Sequence, residues 1–173
     1  MINLKNEDNK SVATKGRLSK RWSILLGLVL VAAITGSALA YGGRLKGHTF
    51  DDTFTKWVTN SATGVMAGVV GGDVGLGTYA GEILSMNTVG TTTSIHALYH
   101  FNGSKHAFTA DVNIRQDDSK GTATITGEVT EGWLKGASVT GEYNVLADCP
   151  IETPGNAYGT MCFQGALHVH VPK

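Results

Sequence analysis

The chain has 173 residues, 14 basic and 14 acidic side chains and only 2 cysteines. That length suits one domain and a balanced charge argues against a nucleic-acid footprint. A core of this size needs no metal or dense disulfide framework to hold it together.

The first forty residues read differently from the rest. Lys5, Lys10, Lys15, Arg17, Lys20 and Arg21 precede an uncharged run from Trp22 to Gly43, and Ala38-Leu39-Ala40 supplies the small-x-small pattern of a signal-peptidase site. We read residues 1–40 as a cleaved secretory signal. The alternative is an uncleaved membrane anchor over residues 22–40, which is close to the roughly 20 residues that span a bilayer. Either reading predicts export, secreted or periplasmic, with membrane contact only through an uncleaved N-terminal segment.

Without that segment, 8 basic residues face 12 acidic ones, a net of −4. No basic stripe is left for nucleic acid or anionic lipid. Residues 41–61 are polar and mixed, and are read as an N-terminal arm attached through Phe54 and Trp57.

From residue 62 onward the chain is rich in Gly and Thr, lacks proline until Pro150 and alternates with period two. Strands are expected near 62–70, 76–87, 92–101, 104–115, 121–130, 136–146 and 160–171. Asn102-Gly103, taken as a two-residue hairpin turn, sets Phe101 opposite Ser104 and Tyr99 opposite His106. A four-residue turn at 117–120 then pairs Ile114 with Ala123 and Val112 with Ile125. A five-residue turn at 131–135 pairs Gly127 with Val139 and Ile125 with Gly141.

The apolar residues Ile95, Ala97, Tyr99, Phe108, Val112, Ile114, Ile125, Val129, Val139 and Tyr143 then share one face. Thr109, Asp111, Asn113, Thr124, Glu128 and Glu142 share the other. Such a ribbon describes an all-β domain, residues 62–173, closing as a single antiparallel barrel of roughly eight strands. Its polar outer face disfavours an outer-membrane barrel.

The segments "GVVGGDVGLGTYAGEIL" (68–84), "HAFTADVNIRQDDSKGTATITGEV" (106–129) and "GWLKGASVTGEY" (132–143) resemble the allene oxide cyclase and dirigent-like barrels. The likeness is strongest to bacterial proteins with an allene-oxide-cyclase-like domain. This resemblance implies an eight-stranded barrel, often a homo-oligomer, with an apolar central cavity. Some members guide cyclisation or coupling of hydrophobic intermediates. The catalytic polar residues of the plant cyclases have no matching positions here, so none is carried over.

Chemical motifs are sparse. Gly75-Leu76-Gly77-Thr78-Tyr79-Ala80 fits a relaxed dinucleotide fingerprint, but runs into a strand rather than a helix, so no nucleotide cofactor is expected. His96, His100, His168 and His170 fall on the polar face without an identifiable third ligand, and no metal is assigned. Glu128 and Glu142 sit in similar Thr-Gly-Glu frames, yet the register separates them by roughly 13 Å and turns both outward.

His106 is placed on the apolar face near one barrel mouth and is the weak candidate for acid/base chemistry. Tyr79, Tyr99, Phe108 and Tyr143 are expected to line the interior. Cys149 and Cys162 are expected to form a disulfide around Pro150, Pro154 and Gly155.

The expected function is an exported barrel that binds a small hydrophobic molecule, without a cofactor. The alternatives are a cofactor-independent cyclase or isomerase, and a structural or interaction domain with a filled interior.

Overall fold

The computed structural model describes residues 45–173, so the proposed signal or anchor lies outside the described residues. Eight strands follow one another: β1 (Thr49–Asn60), β2 (Val65–Gly72), β3 (Gly77–Val89), β4 (Thr92–Gly103), β5 (Ala107–Asp117), β6 (Thr122–Gly132), β7 (Ser138–Leu146) and β8 (Cys162–His170). Each is antiparallel to its neighbours, and β8 pairs with β1 to close the barrel. Closure leaves no unpaired edge to recruit another strand.

The stretch 41–61, set apart from the sequence as an arm, supplies β1. This strand pairs with β2 on one side and β8 on the other. Its alternation is masked in the sequence because two of its inward positions are charged: Asp52, Phe54, Lys56 and Val58 are all buried. Trp57 faces the other way and is also buried, donating its indole hydrogen to Pro154 O at 3.1 Å.

The faces expected for the central strands hold, and β6 and β7 pair in the expected register, with Gly127 opposite Val139 and Ile125 opposite Gly141. Glu128 and Glu142 are exposed. Two registers differ. Phe101 lies opposite Phe108 rather than Ser104, and Ile114 opposite Ile125 rather than Ala123.

The first difference has a tertiary cause. The loop between β2 and β3 takes the backbone donors that a tight Asn102-Gly103 turn would leave free: Ser104 N–H donates to Leu76 O at 2.9 Å and Lys105 N–H to Val74 O at 2.9 Å. The connection lengthens, and Phe108 slides to stack on Phe101 with centroids 4.9 Å apart. The second is set at the turn, where Asp117 pairs with Thr122 and the loop becomes 118–121; a separate irregularity between Thr109 and Ala110 changes the register further along β5 and β6. Both shifts are even-numbered, so the side chains keep their faces.

One end of the barrel is packed solid. Phe54, Tyr79, Tyr99, Phe101 and Phe108 form a linked aromatic series, in which Phe101 meets Phe54 at 6.1 Å and Tyr79 at 5.7 Å. Asp52 closes this end. Its Oδ1 accepts from Val74 N–H at 2.8 Å, while Oδ2 has no partner. Burial raises its carboxyl to about 6, a cost that the Val74 bond only partly offsets.

At the other end, the 147–161 connection folds over the outside of β1. Cys149 and Cys162 are joined as expected, Cys149 N–H donates to Thr160 O at 2.8 Å and Ala157 N–H to Val58 O at 2.7 Å. This disulfide closes the connection that covers Trp57, so removing it frees the loop and uncovers apolar surface. Replacing both cysteines by serine should lower the unfolding free energy by about 3 kcal/mol. Denaturant titration under non-reducing conditions checks this.

Candidate functional site: a buried lysine beneath an open cavity

The interior is not filled along its whole length. At the end that carries the β1–β2 turn and the disulfide connection, a cavity of about 590 Å³ opens between the strands. Met66, Ile83, Ile95 and Ile114 form apolar walls, Ser61 to Gly64 edge the mouth, and Tyr158 and Met161 reach in from the disulfide connection. Lys56, Tyr143 and Phe163 form its base.

Lys56 is the unusual group. Alternation along β1 turns it inward between Phe54 and Val58, and it is only 2% exposed. Among the described residues it forms no salt bridge. Its amine instead donates to the Tyr99 hydroxyl. Five rings surround Nζ, with centroids at 4.1 Å for Tyr99, 4.7 Å for Tyr143, 5.3 Å for Phe54, 5.7 Å for Tyr79 and 5.8 Å for Phe163.

Two effects compete for the proton on this amine. Ring quadrupoles favour the charged form by up to about 2 kcal/mol at a desolvated site. Removing an ammonium from water costs several kcal/mol and has no carboxylate to offset it. Desolvation wins, and burial holds the Lys56 amine well below the usual lysine range.

The tyrosines around it respond in the opposite direction. Burial pushes the Tyr79 and Tyr99 hydroxyls well above the ordinary phenol range, and burial also raises Tyr143. All three therefore stay protonated. Tyr143 donates to Gln116 Oε1 at 2.6 Å, whereas the Tyr79 hydroxyl has no partner.

The space for these rings comes from glycines facing them. A Cβ at Gly165 would strike the Glu142 carbonyl and lie 2.7 Å from Tyr143 Cβ, and one at Gly81 would run into the Tyr79 hydroxyl. The side of the mouth near β4 and β5 is polar but internally satisfied. Gln116 Nε2 donates to Asp118 Oδ1 at 2.6 Å, and Thr93 Oγ1 donates to Asp118 Oδ2 at 2.7 Å.

Comparison of the chain with protein-family models, curated proteins and solved structures finds no match. The site therefore has to be read from its own geometry.

Of the four residues expected to line the interior, Tyr143 borders the cavity, while Tyr79 and Tyr99 lie behind Lys56. Phe108 belongs to the packed end, against Phe101. His106 is not beside Tyr99. The longer β4–β5 loop carries it to the packed end, where it stacks on Trp133 at 3.9 Å, away from the cavity.

The four paired histidines lie on the outer wall, each engaged by a neighbour: His96 with Asp111 at 2.6 Å, His100 with Thr109 at 3.0 Å, His168 with Asp51 at 2.6 Å and His170 with Thr140 at 2.9 Å. Lys56 itself escaped the sequence reading. The signal that would have found it is a lysine at an inward parity position, Phe54-Thr55-Lys56-Trp57-Val58, once 49–60 is recognised as a strand.

A depressed lysine pKa makes a definite linkage prediction. The folded protein binds this proton less tightly than the unfolded chain, so Lys56 opposes folding at neutral pH and ceases to do so above the ordinary lysine pKa. Lys56→Met should therefore be more stable than the parent at pH 7. That advantage should shrink by up to about 1.4 kcal/mol per pH unit as the pH rises toward the lysine range. Paired denaturant titrations at several pH values measure it.

Proposed function

We propose that the protein is an exported β-barrel that holds a small, predominantly apolar molecule in the cavity above Lys56. The observation that carries this reading is the cavity itself. Its volume of about 590 Å³ falls within the roughly 300–1,000 Å³ typical of ligand sites, and it persists although the opposite end of the same barrel is packed with aromatic rings. Met66, Met86 and Met161 add flexible, polarisable surface that adapts to an irregular apolar shape.

Export rests on the basic and then apolar N-terminal sequence together with the disulfide, a bond that persists in oxidising compartments. The likeness to allene-oxide-cyclase-like barrels supports the same assignment, since an apolar central cavity is what that resemblance implies. It also supports a second reading, a cofactor-independent cyclase or isomerase. What favours that reading is the pairing of an amine at the cavity base, Lys56, with a protonated hydroxyl behind it, Tyr99.

Two measurements test the binding reading. Native mass spectrometry of protein from its own host should show a co-purifying small molecule. A fluorescent apolar probe should brighten with the parent protein, and Ile95→Trp, which fills the cavity wall, should weaken it at least about tenfold, equivalent to about 1.4 kcal/mol. Val69→Ser on the outer wall should leave the probe affinity unchanged. Equal affinity for the parent and Ile95→Trp would overturn the assignment.

A further inference from the structure

We propose that Lys56 is a nucleophile that captures an aldehyde or ketone group of the cavity's occupant as an imine. This deepens the preceding reading and rests on it. The geometry that supports it is the meeting of three features at one point: an amine at the base of an open apolar cavity, no carboxylate paired with it among the described residues, and a phenol hydroxyl already hydrogen-bonded to it.

A carbonyl compound suits this position better than a carboxylate. A carboxylate would give up its own hydration to reach an amine whose charged form burial already disfavours, in a cavity whose other polar groups near the base are engaged with one another. A carbonyl brings no charge. Burial lowers the pKa of the amine and so favours the uncharged form, which keeps the lone pair that attack requires. The titratable groups that face Nζ are Tyr79, Tyr99 and Tyr143. All three remain neutral and protonated, so none draws the amine back to its charged form.

The chemistry balances without an oxidant or reductant. The Nζ lone pair forms a bond to the carbonyl carbon as the C=O π electrons move to oxygen, and a proton passes from nitrogen to that oxygen to give a carbinolamine. The Tyr99 O–H then protonates the hydroxyl, the C–O bond breaks, and one water leaves as nitrogen forms the C=N bond. The proton remaining on nitrogen returns to the Tyr99 oxygen. The net change is loss of one water, and the product is a neutral imine that fits a dry interior. Tyr99, which accepts the Lys56 hydrogen bond through its oxygen, keeps its own hydrogen for this donation.

The test is reductive trapping. The full exported domain is incubated with decanal and cyanoborohydride, and the adduct is located by peptide mass spectrometry. Decanol, which has the same apolar chain but no carbonyl, serves in parallel as a competitor of the apolar probe. At pH 7 only about one in 2,500 ordinary lysine side chains is unprotonated. Lys56 should therefore react at least about tenfold faster than exposed Lys120, and the ratio should fall as the pH approaches the lysine range. Lys56→Met should abolish this adduct and still bind decanol, and Tyr99→Phe should slow trapping more than it weakens decanol binding.

Adducts confined to exposed lysines, with decanol still bound, would overturn the imine and leave the cavity reading standing. Failure of decanol to displace the probe from the parent protein would remove both. Because the adduct is mapped on the parent protein, the outcome does not depend on either variant folding.

Discussion

An amine sits inside this barrel without a carboxylate partner among the described residues, and much of the interior is arranged around that fact. Lys56 lies on the strand that closes the barrel, between β2 and β8, so its position is fixed by two ladders of backbone hydrogen bonds. Rings from β1, β3, β4, β7 and β8 enclose Nζ. The enclosure is dry enough to hold the amine well below the usual lysine range and polar enough, through Tyr99, to satisfy a hydrogen on the nitrogen. Burial that opposes folding is retained at few positions in a protein, and strongly perturbed titratable groups beside a cavity mark candidate sites.

The two ends of the barrel divide the labour. At the packed end, stacked aromatic rings, the Phe50–Trp133–His106 group and the buried Asp52 fix the ladder geometry. At the open end, side chains with several rotatable bonds and a disulfide-closed connection surround unfilled space. Glycines make room for the tyrosines, Gly81 beneath the Tyr79 hydroxyl on the same strand and Gly165 opposite Tyr143 across β7 and β8. The cavity exists because aromatic volume is concentrated below Lys56 and thins out above it.

Much of this was legible in the sequence, and what escaped did so for identifiable reasons. Period-two alternation found seven strands and assigned their faces, because burial on one side constrains parity strongly. Register was weaker. The Asn102-Gly103 turn was overruled by backbone hydrogen bonds to Val74 and Leu76, which lie far away in sequence. Strand β1 was missed because Asp52 and Lys56 occupy inward positions where alternation anticipates apolar residues. The tyrosines were readable as interior, but their common neighbour was not, and the search for chemistry went to His106 at the opposite end. The local pattern failed where a charged side chain had been placed in the core, as is expected of functional positions.

The most direct test of this account is an NMR titration of Lys56 in protein with labelled lysine side chains, with Lys56→Met used to assign the signal. The account predicts that the Lys56 Cε and Nζ signals sit at neutral-amine positions at pH 7, apart from those of the exposed lysines, and move only on acidification. A Lys56 that is charged at pH 7 and loses its proton with the surface lysines near the ordinary value of about 10.4 would contradict it.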